Sequence, residues 1–156
     1  LGHSLALAGL VFSVAMFIAV PCRILWGWLG STSVSPRRMM GALSLGMAAS
    51  TAFTGLYGPH WPVLLIGFVA SCLSATAMSW HGVLLAEASR LAPPGMRGMA
   101  TGGVLSFGQI GGLLLPLVYS VLLYLTGSHG LGFFVCGAPA LLVGILLMRP
   151  PPRVAA

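Results

Sequence analysis

Residues 80–103 read Trp-His-Gly-Val-Leu-Leu-Ala-Glu-Ala-Ser-Arg-Leu-Ala-Pro-Pro-Gly-Met-Arg-Gly-Met-Ala-Thr-Gly-Gly. They hold the one acidic side chain of the 156-residue chain, Glu87, with Arg90 a helical turn later. A Pro93-Pro94-Gly95 break and Arg97 follow, and then a glycine-rich restart. Long apolar runs flank the stretch on both sides. It therefore reads as a polar connection between two membrane-spanning helices, and the expected topology and function both depend on it.

Composition supports a membrane setting. Hydrophobic residues make up 58% of the chain and charged residues only 5%, against roughly a quarter charged in soluble domains. So few charges cannot cover a water-facing surface. The apolar runs are helix-length and lack the strict alternation of an outer-membrane barrel strand. The fold class expected is all-α, a polytopic bundle of about five spans.

The spans are expected at about residues 5–29, 39–57, 62–86, 100–125 and 131–148. At about 1.5 Å per residue each is long enough, or nearly so, for a hydrocarbon core of about 30 Å. The first run has no basic start and no small-residue cleavage site before a soluble body, so it is not a cleavable signal peptide. The chain opens at Leu1 directly before a span, and five is an unusual count for a complete carrier. A C-terminal portion of a longer protein is the expectation.

All seven basic residues are arginines. Arg37 and Arg38 lie in the first connection with Arg23 near its start, Arg90 and Arg97 in the third, and Arg149 and Arg153 in the tail. The other two connections carry none. The positive-inside rule then makes that end cytoplasmic, with the N-terminus outside and the C-terminus inside, in the cytoplasmic (inner) membrane. Arginines scattered at span ends, without a basic patch or interleaved aromatics, do not suit nucleic acid. Their expected partner is the lipid bilayer.

Glu87 at a helix C-terminus opposes the helix dipole, and Arg90 at i+3 shares its face. With Arg37 and Arg38 on the same side of the membrane, two readings stand: an inner-gate ion-pair cluster that forms and breaks, or a solvated helix-end pair. Arg23, two residues after Pro21, either binds an anionic substrate in a central cavity or snorkels to the interface. Gln109, at mid-depth, either faces a substrate cavity or bonds a neighbouring helix. Gly98, Gly102, Gly108 and Gly112 are spaced for close helix packing, and Pro116 permits a bend, making the fourth span the expected broken helix. Trp26, Trp28, Trp61 and Trp80 are expected at the interfaces as an aromatic belt.

Other chemistry finds little support. A single carboxylate excludes a paired-carboxylate site or a Ser-His-Asp triad. There is no lysine for a nucleotide-binding loop. His3, His60 and His129 read as scattered loop residues rather than a metal site, and His81 as an interfacial partner of Trp80 or a proton relay. Cys22, Cys72 and Cys136 lie in apolar runs, which argues against a disulfide framework. No enzyme, metal or cofactor is expected.

These residues resemble the C-terminal half of a major facilitator superfamily carrier. That family's basic inner loop runs Gly-x-x-x-Asp-Arg-x-Gly-Arg-Arg. Gly27 matches its first glycine and Arg37 and Arg38 its closing pair, while Ser31 and Thr32 stand at the Asp and first Arg positions and the loop is longer. Trp80, His81, Gly82, Ala86, Glu87, Arg90, Pro93, Pro94, Ala100, Thr101, Gly102 and Gly103 fit, in order, the end of the tenth and start of the eleventh helix in bacterial members. The resemblance implies helices eight to twelve of a twelve-helix fold. It also implies alternating access to a small solute with protons as the coupling ion, an inner gate at Glu87, Arg90, Arg37 and Arg38, and dependence on the N-terminal half of the same carrier. The competing expectation is a non-transporting helical subunit that packs against a partner through its glycine faces.

Overall fold

The computed structural model describes residues 4–150 and contains six helices and no strand among them. They are α1 Leu5–Thr32, α2 Pro36–Gly55, α3 Val63–Ala77, α4 Trp80–Leu91, α5 Arg97–Thr126 and α6 His129–Met148. α3 and α4 together occupy the expected third span, so the helices form five rods, one of them interrupted at Met78 and Ser79. His3 and Arg153 lie outside the described residues.

Local chemistry sets the helix ends. The Ser4 Oγ accepts the Leu7 N–H at 3.3 Å and opens α1, and the Ser128 Oγ does the same for Leu131 at 3.4 Å in α6, each relieving an orphan donor. Pro36 begins α2, where its missing N–H removes no helical bond. α5 stops at Gly127, whose φ of 65° is left-handed and favours glycine. Inside the helices Thr54, Ser71, Thr76, Ser106 and Thr126 each donate a hydroxyl to the carbonyl four residues back. In lipid no water would satisfy them otherwise.

By length and apolar composition α1, the α3–α4 rod, α5 and α6 can each cross a membrane. α2 is less apolar and falls short of that criterion. It is instead the best-covered helix, with Met39, Gly41, Leu43, Ala48 and Ser50 buried. Its main partner is α6, and their contact runs through glycines. A Cβ added to Gly144 would meet Leu45, to Gly137 would meet Thr51, and to Gly41 would meet Met148. At the opposite end of the pair Gly55 and Gly130 approach backbone to backbone. Met39, Leu43 and Val83 form the core cluster, with Trp26, Leu29, Met40 and Trp80 packed around it.

One expectation is corrected. α5 runs unbroken through Pro116 for 30 residues, and the broken helix is the third rod. A proline removes one N–H and leaves the remaining ladder in place; α1 and α6 likewise continue through Pro21 and Pro139. Trp26 and Trp80 pack on the core cluster. Trp28 remains exposed, and Trp61 tilts against Tyr57 at 5.3 Å between ring centroids.

Candidate inner gate

α4 carries the acidic residue to a defined place. Its last turns bring Arg90 over Glu87, with Nε 2.7 Å from Oε2 and Nη2 2.6 Å from Oε1. This fork-to-fork geometry makes both hydrogen bonds charge-assisted and fixes the orientation of the carboxylate. The pair stays open to its surroundings, with 67% of the Arg90 side chain and 25% of the Glu87 side chain exposed. It is the one carboxylate–guanidinium pair among the described residues.

The pair lines a cavity of about 500 Å³. The other walls are Gly27, Gly30, Ser31 and Thr32 in the last turns of α1, the connection 33–35 with Pro36, and Val83 and Ala86 on α4. Four of these residues, Ser31, Thr32, Ser33 and Ser35, bear hydroxyls, while Val83 and Ala86 are apolar. Gly30 faces Val83 and Met39: a Cβ there would make ordinary contact, 3.4 Å from Val83 Cγ1 and 3.7 Å from Met39 Cγ. The glycine of the basic-loop motif and the glutamate of the Trp80–Gly103 stretch, 60 residues apart in sequence, therefore meet at one opening.

The remaining basic candidates go elsewhere. Arg37 turns to the end of α6, donating from Nε to the Leu147 carbonyl and from Nη2 to those of Leu146 and Arg149, at 3.1–3.2 Å. Those carbonyls have no helical partner, and a cation there complements the negative end of the dipole. Arg38 is exposed in the first turn of α2. The end of α4, the start of α2 and the end of α6 therefore share one end of the bundle, and Arg37, Arg90 and Arg149 share it with them.

Arg23 neither reaches this opening nor extends freely towards the interface. Its Nε and Nη2 donate to the Met78 carbonyl at 3.2 and 2.9 Å, at the break between α3 and α4. Gln109 is exposed on α5. Of the flagged glycines, Gly108 faces Trp80 Cη2, 3.4 Å from its would-be Cβ, whereas Gly98, Gly102 and Gly112 have nothing within 4 Å. α5 has no buried residue. No group of three His, Cys, Asp or Glu among the described residues is placed to hold a metal ion.

A family model described as the Major Facilitator Superfamily matches residues 1–156. No curated protein and no solved structure matches the chain.

Proposed function

Because the chain belongs to the major facilitator superfamily, and is thus a multi-pass membrane protein of a transporter family, we propose that it moves a small solute by alternating access, with protons as the coupling ion. The five rods, α2 among them, cross the bacterial inner membrane as helices eight to twelve of the family's twelve. The other seven helices supply the opposite wall of the solute path. The order of the motifs around Gly27, Arg37, Glu87 and Thr101 supports this register. The gathering of Arg37, Arg90 and Arg149 at one bundle end supports a cytoplasmic assignment for it.

One observation carries the mechanism: the Glu87–Arg90 fork stands on the rim of the cavity framed by the basic loop. Exposed on that rim, each partner is free to exchange the other for groups on an approaching helix. The pair then acts as the inner gate, re-pairing when the cytoplasmic mouth closes. Arg38, exposed one residue beyond Arg37, is an additional cation for that exchange.

The test uses the complete carrier in proteoliposomes holding a pH-sensitive dye and challenged with a panel of sugars, amino acids, organic anions and organic cations. At least one class dissipates an imposed proton gradient, and Glu87→Gln abolishes that flux while insertion stays normal. Full flux in Glu87→Gln would reduce the pair to a solvated helix-end contact.

A further inference from the structure

The break in the third rod is held from outside the rod. In an uninterrupted helix the Ala75 carbonyl accepts from the Ser79 N–H and the Met78 carbonyl from the Gly82 N–H. Here the Ser79 N–H reaches the Thr76 carbonyl instead, at 3.5 Å. The Ala75 carbonyl accepts from Trp26 Nε1 at 3.1 Å, and the Met78 carbonyl accepts both Arg23 donors. Two side chains of α1, one turn apart, thus occupy two of the carbonyls freed by the break.

The rearrangement leaves a group behind. Ser79 is completely buried, yet its Oγ has no hydrogen-bond partner. The Ser and Thr hydroxyls that donate within α2, α3 and α5 go to the carbonyl four residues back, Thr76 and Thr101 sharing theirs with the carbonyl three back. For Ser79 the carbonyl four back belongs to Ala75, the one taken by Trp26. A buried unpartnered hydroxyl is costly, so the broken form carries a built-in opposing bias. The straight form would satisfy the Ser79 hydroxyl and N–H together, while Arg23, about two turns from the inner end of α1, would extend to the interface.

We propose that Arg23 and Trp26 form a clasp that holds the third rod broken at Met78–Ser79, and that its release lets α3 and α4 run on as one helix. The two forms exchange one set of hydrogen bonds for another, which is the property of a two-state element. α4 carries Glu87 and Arg90 at its far end, so the clasp sets the direction in which the gate points. The proposal concerns the state of one rod, so its test can fail without the transporter reading failing.

The test is ¹⁵N-indole tryptophan NMR of the full chain in lipid nanodiscs, with the Trp26 signal assigned by Trp26→Phe. The indole N–H reports directly whether it holds the Ala75 carbonyl, and relaxation dispersion reads a minor released state. Arg23→Gln raises the released fraction about tenfold, as loss of a charge-assisted bond requires. Ser79→Ala lowers it by a similar factor, because the released form loses the bond that favours it. Arg23→Lys falls between wild type and Arg23→Gln. If Arg23→Gln does not insert, the opposed shifts of Ser79→Ala and Arg23→Lys decide the matter. A Trp26 signal in one state throughout, or shifts of the same sign in Ser79→Ala and the Arg23 variants, would overturn the clasp.

Discussion

Gly144 on α6 lies so close to Leu45 on α2 that a Cβ added to it would stand 2.8 Å from the leucine Cγ and 3.1 Å from its backbone nitrogen. The side chain could rotate away, but the backbone could not without separating the helices. Gly144→Ala is expected to destabilise the chain by about 1–3 kcal/mol, the usual range for overpacking. Thermal unfolding in detergent, followed by tryptophan fluorescence, checks this. Gly112→Ala is the control, because nothing lies within 4 Å of its would-be Cβ.

Arg37 should matter for stability more than for gating. Its guanidinium spans three carbonyls at the end of α6, and hydrogen bonds from charged donors contribute about 1.5–3 kcal/mol. Arg37→Gln is expected to lower the unfolding midpoint and to speed amide exchange around residues 146–149. Arg37→Lys should recover only part of this, since a point-like ammonium cannot reproduce the fork. Hydrogen-exchange mass spectrometry on the α6 end distinguishes the three.

For the Glu87–Arg90 pair the decisive variant is the exchange of charges. Glu87→Arg and Arg90→Glu each place like charges one turn apart and should abolish solute flux. The double exchange restores an i,i+3 pair, although with its orientation reversed against the helix dipole. Partial recovery of flux, above either single variant, is the expected result. Equal loss in all three would mean that the position of the carboxylate counts, and the pair does not.

α5 offers a different contrast. Gly102 has no neighbour within 4 Å, and α5 buries no residue in the described set. Gly102→Leu should therefore leave the unfolding of this chain unchanged within about 0.5 kcal/mol. In the complete carrier the same substitution is expected to reduce flux at least tenfold, because the opposite wall would meet the leucine. Parallel melting of the chain and transport by the carrier check the two halves of the prediction.

Much of the fold was legible because it is written locally. Apolar run lengths and the polar connections between them are properties of a few adjacent residues. The Glu87–Arg90 contact was equally readable, being a matter of helical spacing. What was not legible depends on which faces meet. Gly98, Gly102 and Gly112 carry the same small-residue signal as Gly137 and Gly144, yet only the latter two meet another helix in this structure. Pro116 looked like the site of a break, and the actual break has no proline at all: it lies where Trp26 and Arg23 capture carbonyls of another helix. Arg37 was assigned to the gate from its side of the membrane, whereas its partners lie 109–112 residues away along the chain.

The pairing of α2 with α6 has a consequence for how the protein is made. α2 is the helix that falls short of the hydropathy of a span, and its principal partner, α6, is synthesised only after α3, α4 and α5. On the five-span topology proposed above, α2 enters the bilayer and waits, with Gly41 and Gly55 uncovered, while α3, α4 and α5 emerge. α1, already made, touches it lightly, and α3 is the first later helix to pack on it. Insertion of the chain is then a matter of order as well as hydropathy, and a ribosome that stops before His129 leaves behind a helix without its seat.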